Sequence, residues 1–191
     1  MNIKGKHIVL RAIEREDLPL LNQWANDPEI QRMLGGWHFP SGLQDQEVWF
    51  SSLSCNSLNQ RFAIEVRDLG LIGTANLVSI DWKNRNAFHG MLIGDKGVRG
   101  KGYGVDTIKT IMRYAFDELE LSRLDTDIIA YNEASLRAYI EKCGWVEEGR
   151  RTDWYFRDGR RWDKILAGVT RERYDAIHRR SVDSANSGEL P

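Results

Sequence analysis

The sequence predicts one α/β domain with a central mixed, mostly antiparallel sheet of seven strands and about four flanking helices. Its apolar segments follow the order strand, helices, three strands, helix, strand, helix and two strands. The chain has 191 residues, of which 41% are hydrophobic and 29% charged, as in soluble domains with a substantial core. No repeat or linker divides it, so residues 1–178 are predicted to form the domain and the polar tail of residues 179–191 to be disordered.

The first third of the chain predicts one strand followed by short helices. The β-branched segment HIVLRAI, residues 7–13, is typical of an opening strand. Helical spacing follows from Leu18, and Asp27-Pro28 is expected to divide it into two helices, because proline disfavours helix at the preceding residue. The turn-forming segment GGWHFPSG, residues 35–42, predicts an exposed loop, and QDQEVWFSSL after it predicts a further short helix.

The middle of the chain predicts a meander and a long helix. Residues 61–67, 71–81 and 87–94 are three strand candidates separated by short turns, which favours antiparallel pairing. The helix after residue 104 has one apolar face, formed by Val105, Ile108, Ile111, Met112, Ala115, Phe116 and Leu119.

The last third predicts a strand, a helix and a closing hairpin. Residues 123–131 form the strand candidate, and Asn132 is suited to cap a helix over residues 133–143. Residues 144–170 predict two strands joined at Arg157-Asp158-Gly159.

Charge and cysteine content exclude several classes of protein. The formal net charge is −1, without the basic excess expected of a nucleic-acid-binding protein or a polybasic membrane anchor. No segment has the apolar length of a signal peptide or a membrane span. Two cysteines, Cys55 and Cys143, predict neither a disulfide framework nor a cysteine metal site. We therefore expect a cytoplasmic protein without metal, membrane or nucleic-acid partners.

Three glycines at alternate positions, Gly100, Gly102 and Gly104, stand where the long helix should begin. Glycine loses more backbone freedom on folding than any other residue, so the bare main chain must serve a purpose. Glycines before a helix let a ligand approach the backbone, and the helix N-terminus favours an anion. A phosphate or pyrophosphate is therefore the expected ligand.

Two common phosphate-binding motifs do not fit this segment. A P-loop requires Gly-Lys-Ser/Thr after four intervening residues, whereas Lys101 here lies between glycines without a suitable Ser or Thr. The dinucleotide fingerprint requires G-x-G-x-x-G near a chain start, whereas this spacing is G-x-G-x-G after a meander.

Two blocks instead resemble the GNAT superfamily of acyl-CoA N-acyltransferases. Its pyrophosphate loop, Gln/Arg-x-x-Gly-x-Gly/Ala, is matched by the segment RGKGYG at residues 99–104. A second block, an Asn followed by a helix ending near Tyr-x-Lys-x-Gly-Phe/Trp, is matched by NEASLRAYIEKCGW at residues 132–145. The opening and closing segments resemble the branch with ribosomal-protein alanine and spermidine acetyltransferases, so the resemblance spans about residues 3–174.

The resemblance implies a GNAT fold whose fourth and fifth strands splay apart to hold acetyl-CoA as the co-substrate. It implies that the main chain of Met91, Leu92 and Ile93 binds pantetheine, and that the amides of residues 99–105 bind pyrophosphate. The cofactor-binding residues that it implies are Met91, Leu92, Ile93, Arg99, Gly100, Lys101, Gly102, Tyr103, Gly104, Val105, Asn132, Ser135, Tyr139 and Lys142.

The implied reaction is direct transfer of an acetyl group to a primary amine. The resemblance assigns to Tyr139 the protonation of the departing thiolate. Two residues are candidates for the base: Asp127, near a position where some relatives carry Glu, and His89, whose ordinary pKa suits proton transfer. Phe88 stands where several relatives have an acidic residue.

The acceptor pocket is expected to be formed by the loop GGWHFP at residues 35–40, the second predicted strand and the closing hairpin. Its proposed substrate-binding residues are Trp37, His38, Phe39 and Tyr155, with Trp82 and Trp154 as further aromatic candidates. A protein N-terminus, an amino sugar and a small amine all stay open, while the lack of an acidic cluster speaks against a polyamine. A homodimer is also left open. The alternative function is a catalytically silent acyl-CoA-binding module.

Overall fold

The computed structural model of the chain describes residues 1–36 and 39–177. They contain eight strands: β1 Ile3–Lys4, β2 Val9–Arg11, β3 Gln60–Val66, β4 Gly70–Asp81, β5 Asn86–Ile93, β6 Arg123–Ile129, β7 Val146–Arg157 and β8 Arg160–Thr170. These strands form one mixed sheet in the order β1-β2-β3-β4-β5-β6-β8-β7, in which only the β5–β6 pair is parallel.

The strand count exceeds the prediction of seven by one, because β1 pairs antiparallel with β2 at the start of the chain. A strand of two residues shows no periodicity, so its pattern cannot be recognised in the sequence. The meander and the closing hairpin, with its turn at Asp158-Gly159, are confirmed. The tail predicted to be disordered, residues 179–191, lies outside the described residues, and the predicted domain boundary stays a prediction.

The helices are more numerous than the four expected. They are α1 Leu18–Ala25, α2 Pro28–Met33, α3 Leu43–Ser51, α4 Tyr103–Arg113 and α5 Glu133–Leu136, and residues 171–177 are also helical. The predicted break is confirmed: the Asp27 carboxylate caps α2 by accepting from the Glu29 N–H at 2.9 Å, and Pro28 is the first helical residue. Across the described ranges, no helix has the length and apolarity needed to cross a membrane.

Two of the helices, α4 and α5, widen into π-helix at their C-terminal ends. The α4 helix continues as the π-helical segment Tyr114–Glu118, and α5 continues as Arg137–Lys142. Such wide turns are rare and occur often at functional sites. The predicted helix over residues 133–143 is therefore present, but most of it has π geometry.

Apolar side chains cover both faces of the sheet. One face packs against α4, α5 and their π-helical extensions, with Ile108, Ile111 and Phe116 among its fully buried residues. The other face packs against α1 and α2 through Leu18, Leu21, Trp24 and Ile30. Each fully buried Leu, Ile or Phe side chain contributes about 1.5–3 kcal/mol, so these two layers hold the sheet and its helices together.

Gly94, directly after β5, lies against the ring of Trp24 on α1. An added Cβ would overlap the indole, which is itself buried in the second layer. We expect Gly94→Ala to destabilise the fold by about 1–3 kcal/mol, because a packed aromatic ring must move. Chemical denaturation measures this loss. Gly36→Ala is the matched control, since a Cβ there has no neighbour within 4 Å among the described residues. Equal stability of both variants would contradict the packing.

Candidate active site

Strands β5 and β6 separate to form a V-shaped gap. Their parallel pairing is limited to Asn86–Phe88 on β5 and Arg123–Asp125 on β6. Beyond these pairs β5 continues to Ile93 and β6 to Ile129, and within the described residues no pairing joins them again. The splay implied by the resemblance is therefore present, with its apex after Phe88 and Asp125. It lies between the fifth and sixth strands instead of the fourth and fifth, because β1 adds one strand at the start of the chain.

The inner edge of β5 presents main-chain polar groups to this gap. The Gly94 N–H donates to the Ile72 carbonyl at 2.9 Å, and the Leu92 carbonyl lies against Gly73 of β4. Because the hydrogen-bonding direction alternates along an antiparallel strand, Met91 and Ile93 direct their N–H and C=O groups away from β4. Of the three predicted residues, Met91 and Ile93 thus face the gap and Leu92 faces β4.

The three glycines of the loop are required for two different structural reasons. Gly100 and Gly102 have φ of 78° and 90°, in the left-handed region where other residues are strained, and open space surrounds both positions. Gly104 lies in the first turn of α4, where an added Cβ would come within 3.2 Å of Met91 Cε. The first two glycines shape the turn, and the third allows close packing of helix on strand.

The N-terminus of α4 lies beside the open space around Gly100 and Gly102. Its hydrogen-bond ladder begins with the Asp106 N–H donating to the Gly102 carbonyl at 3.0 Å. The N–H groups of Tyr103, Gly104 and Val105 therefore have no partner within the helix and favour an anion. The amides of Arg99 and Lys101 instead donate to Lys96 and Val98, so they are part of the turn.

Two cations near the loop pair with the start of α2. Lys96 Nζ lies 2.9 Å from the Asp27 carboxylate and 2.8 Å from that of Glu29, and Arg99 lies 2.6 Å from Glu29. Hydrogen bonds from Lys96 lower the pKa of both carboxyls. Arg99 Nη2 also donates to the Ile93 carbonyl at 3.5 Å. The Arg99 side chain therefore links α2 to the end of β5, which the sequence did not indicate.

The C-terminal end of α2 accepts hydrogen bonds from residues that follow β6 and from β7, across the gap from β5. Three successive carbonyls accept hydrogen bonds: that of Arg32 from the Tyr131 hydroxyl, that of Met33 from Asn132 Nδ2, and that of Leu34 from Arg157 Nη2. The helix therefore bridges the loop side of the gap and the β6–β8 side.

Tyr139 lies at the apex of the gap, in the π-helical extension of α5. Its side chain is 3% exposed, its hydroxyl hydrogen-bonds Thr126, and its ring centroid lies 5.7 Å from that of His89. His89 and Thr126 are the first residues beyond the last β5–β6 pair. Burial raises the pKa of Tyr139, so the hydroxyl keeps its proton at neutral pH.

His89 is brought to the same apex but in an unexpected protonation state. Nδ1 lies 2.8 Å from the Asn76 carbonyl, which can only accept, so the neutral ring carries its proton there. Nε2 is buried and has no hydrogen-bond partner in the described part of the chain. Complete burial lowers the pKa of His89 to about 4, so the ordinary imidazole pKa assumed from the sequence does not apply.

Asp127 lies on the opposite face of the sheet from Tyr139. Its carboxylate accepts from Lys164 Nζ at 2.7 Å and from the Tyr155 hydroxyl at 3.1 Å. Lys164 is a site residue that sequence reasoning missed. No signal in the sequence singles it out, because charged residues are frequent in the first half of β8 and the partner of Lys164 depends on the β6–β8 register.

The second block forms the start of α5 as predicted. The Asn132 side-chain oxygen accepts from the Ser135 N–H at 3.2 Å and caps the helix. Its amide nitrogen donates to Met33, so both sides of the amide are used. Lys142, at the end of the π-helical segment, is exposed.

The residues proposed for the acceptor pocket do not all meet. Trp37 and His38 lie outside the described residues, while Phe39 lines a cavity of about 260 Å³ near α1 and α3. Trp82 follows β4 at the far end of the sheet from the open gap, so it is not part of this pocket. Tyr155 belongs to one face of the β7–β8 hairpin, here called the acceptor wall, which carries Tyr155, Arg157, Arg160, Trp162 and Lys164. Trp154 lies beside it, 4.9 Å from Lys164 Nζ.

Known proteins match this chain over most of its length. The sequence profile of the acetyltransferase (GNAT) domain matches residues 7–146. The SPbeta prophage-derived N-acetyltransferase YokL of Bacillus subtilis is 29% identical over 174 residues, covering 91% of this chain and 96% of the relative. The spermidine N(1)-acetyltransferase of Vibrio cholerae is 27% identical over 170 residues, covering 89% and 96%.

A solved structure agrees with these sequence matches. The crystal structure of spermidine N-acetyltransferase from Vibrio cholerae in complex with CoA and spermine has a TM-score of 0.81 and 25% identity. The match covers 89% of this chain and 99% of that chain. Fold, splayed strands and sequence profile agree, and the chain belongs to the GNAT acetyltransferase family.

Proposed function

We propose that this protein transfers the acetyl group of acetyl-CoA directly to a primary amine. The observation that carries the proposal is a gap with a free main-chain edge, leading from the buried apex to the open N-terminus of α4. Acetyl-CoA supplies an activated thioester. The chain supplies two features that fit it: the glycine turn with open space around it, and the edge of β5 beyond Phe88, which pairs with no second strand on the gap side within the described residues.

Binding is assigned to main-chain groups at both ends of the gap. The N–H groups of Gly102 to Val105 hold pyrophosphate at the helix N-terminus. Met91 and Ile93 hydrogen-bond pantetheine as a further strand would, and a β5 amide stabilises the oxyanion. Ser135 and Lys142 lie along α5 and its extension, where they contact the remaining arm. Asn132 acts by capping α5, because both sides of its amide are already bonded to Ser135 and Met33.

Proton transfers are assigned to the two faces of the sheet. The amine nitrogen attacks the thioester carbonyl carbon, the C–S bond breaks, and the Tyr139 hydroxyl donates a proton to the leaving sulfur. Asp127 takes the proton that the amine loses, since it is partly exposed and lies on the acceptor side. His89 is neutral and a weak base at a pKa of about 4, so we assign its Nε2 to accepting a hydrogen bond at the apex.

The acceptor is a primary amine: a small amine, an amino sugar or a protein N-terminus. Small amines are supported by relatives that are named spermidine acetyltransferases. A homodimer and a cytoplasmic location stay predictions.

Acetyl-CoA should raise the melting temperature of the protein, because a ligand that binds only the folded state stabilises it by mass action. At about 100 times its dissociation constant the gain is about 2.7 kcal/mol, which differential scanning fluorimetry detects. ATP and NAD serve as controls and should act far more weakly. No shift with saturating acetyl-CoA or CoA would contradict the assigned cofactor.

Release of free thiol with a panel of amines tests the transfer itself. Turnover of at least one amine supports the enzyme. Binding of acetyl-CoA without turnover of any amine would instead favour the silent acyl-CoA-binding module.

A further inference from the structure

Arg157 of the acceptor wall is a half-buried cation that lacks a counter-ion in the described residues. Its Nη1 donates to the Phe156 carbonyl at 2.8 Å and its Nη2 to the Leu34 carbonyl at 3.1 Å. Its Nε is buried and, within the same residues, donates to no acceptor. A half-buried guanidinium is normally paired with an anion, so residues 1–36 and 39–177 leave a charge and one donor of Arg157 uncompensated.

A second unpaired donor lies on the same wall. The Trp162 Nε1–H is also buried without a partner in the part of the chain that the structure describes. Trp162 pairs with Tyr155 across the hairpin, and Arg157 pairs with Arg160 in the adjacent position. Since side chains two apart on a strand share a face, both unpaired donors belong to neighbouring positions of one surface.

The charge balance of this wall is positive. Lys164 of the wall forms an ion pair with Asp127, and Arg32 beside the wall forms one with Asp158. Neither Arg157 nor Arg160 forms an ion pair within residues 1–36 and 39–177. The Arg160 guanidinium instead covers the Trp162 ring at 3.7 Å from its centroid. The surface therefore repels a polycation and attracts an anion.

We propose that the acceptor is a primary amine that carries an anionic group, a carboxylate or a phosphate, bound by Arg157 and Trp162. The inference rests on the proposed acetyl transfer. The Tyr155 hydroxyl bonds Asp127, while its ring lies 5.5 Å from the Arg157 guanidinium carbon. We place the amine of the acceptor at Asp127 and its anionic group at Arg157. Because Tyr155 contacts both residues, the amine and the anionic group of the acceptor are separated by about the length of one tyrosine side chain.

Matched acceptors differing only in charge test the proposal by turnover. Glucosamine 6-phosphate is compared with glucosamine, and glycyl-glutamate with glycyl-glutamine, so that a phosphate and a carboxylate source are distinguished. We expect the anionic member of at least one pair to have a kcat/KM about 10- to 100-fold higher, as for a hydrogen bond to a charged group. Spermidine should be the poorest acceptor.

Arg157→Gln should remove this preference, and Arg157→Lys should retain part of it. Arg161→Gln is the matched control, because Arg161 pairs with Phe156 and lies on the opposite face of the same hairpin. If Arg157→Gln and Arg161→Gln lowered the preference for anionic acceptors equally, the preference would come from long-range electrostatics alone. That result would overturn the assigned site. If Arg157→Gln does not fold, Trp162→Phe removes the second donor and is expected to weaken the preference.

A binding measurement separates this proposal from the proposed function. Calorimetry in the presence of CoA measures the affinity for the acetylated products, so it requires no turnover. N-acetylglucosamine 6-phosphate is compared with N-acetylglucosamine, and N-acetylglycyl-glutamate with N-acetylglycyl-glutamine. Acetylation of amines without any preference for an anion, in turnover or binding, would leave the acetyltransferase standing and refute the anion site. Arg157-dependent binding without turnover would support the anion site and count against the transfer.

Discussion

Tyr139→Phe is expected to lower kcat about 10²–10⁴-fold while acetyl-CoA still binds. The substitution keeps a ring that is packed at 5.0 Å from Trp145 and removes only the hydroxyl at the apex of the gap. Without a proton donor, sulfur must leave as a thiolate. The stability loss should be limited to one hydrogen bond, about 0.5–1.5 kcal/mol. Steady-state kinetics with thiol detection and calorimetry with acetyl-CoA measure the two effects.

The chain offers a matched control in Tyr174. It is another buried tyrosine, whose hydroxyl donates to Asp117 at 2.8 Å near the far end of the sheet. Tyr174→Phe should cost similar stability and leave kcat unchanged. A Tyr139→Phe enzyme that turns over within about twofold of wild type, with chemistry rate-limiting, would remove Tyr139 from the mechanism.

Gly102→Ala is expected to weaken acetyl-CoA binding about 10- to 100-fold, the range for losing hydrogen bonds to a charged group. The new Cβ would project into the open space beside the α4 N-terminus, where the pyrophosphate is assigned. Because φ is 90°, the variant also loses stability. Calorimetric titration of CoA gives the affinity, and denaturation gives the stability.

Gly70→Ala separates these two effects. Gly70 has a φ of 73° and equally open surroundings, and it is the first residue of β4, directly after the β3–β4 turn. It should lose comparable stability and bind CoA normally. Equal affinities for the two variants would mean that the glycine loop serves only its own turn.

The glycine loop and the capping Asn132 were predictable because their reasons are local. A left-handed φ requires glycine at residues 100 and 102, and a helix start requires a side-chain acceptor at residue 132. Such constraints act between near neighbours in the chain, so they leave a readable pattern.

Features that depend on distant register were not predictable. The Asp127–Lys164 ion pair exists because β6 and β8 align Ile129 with Lys164, and Arg99 meets Glu29 only after folding. The depressed pKa of His89 follows from complete burial, which no residue beside it signals. Trp82 was expected in the acceptor pocket because the sequence does not show at which end of the sheet the residue after β4 lies.

The two ends of α2 respond differently to ionic strength. Its N-terminal end is tied to the glycine loop by exposed ion pairs of Lys96 and Arg99, which salt screens over a Debye length of about 8 Å at 0.15 M. Its C-terminal end is tied by hydrogen bonds to backbone carbonyls, which salt hardly weakens. Dilute buffer therefore strengthens only the link between α2 and the glycine loop. Concentrated salt weakens that link, while the buried Ile30 and the hydrogen bonds at the C-terminal end keep α2 on the sheet.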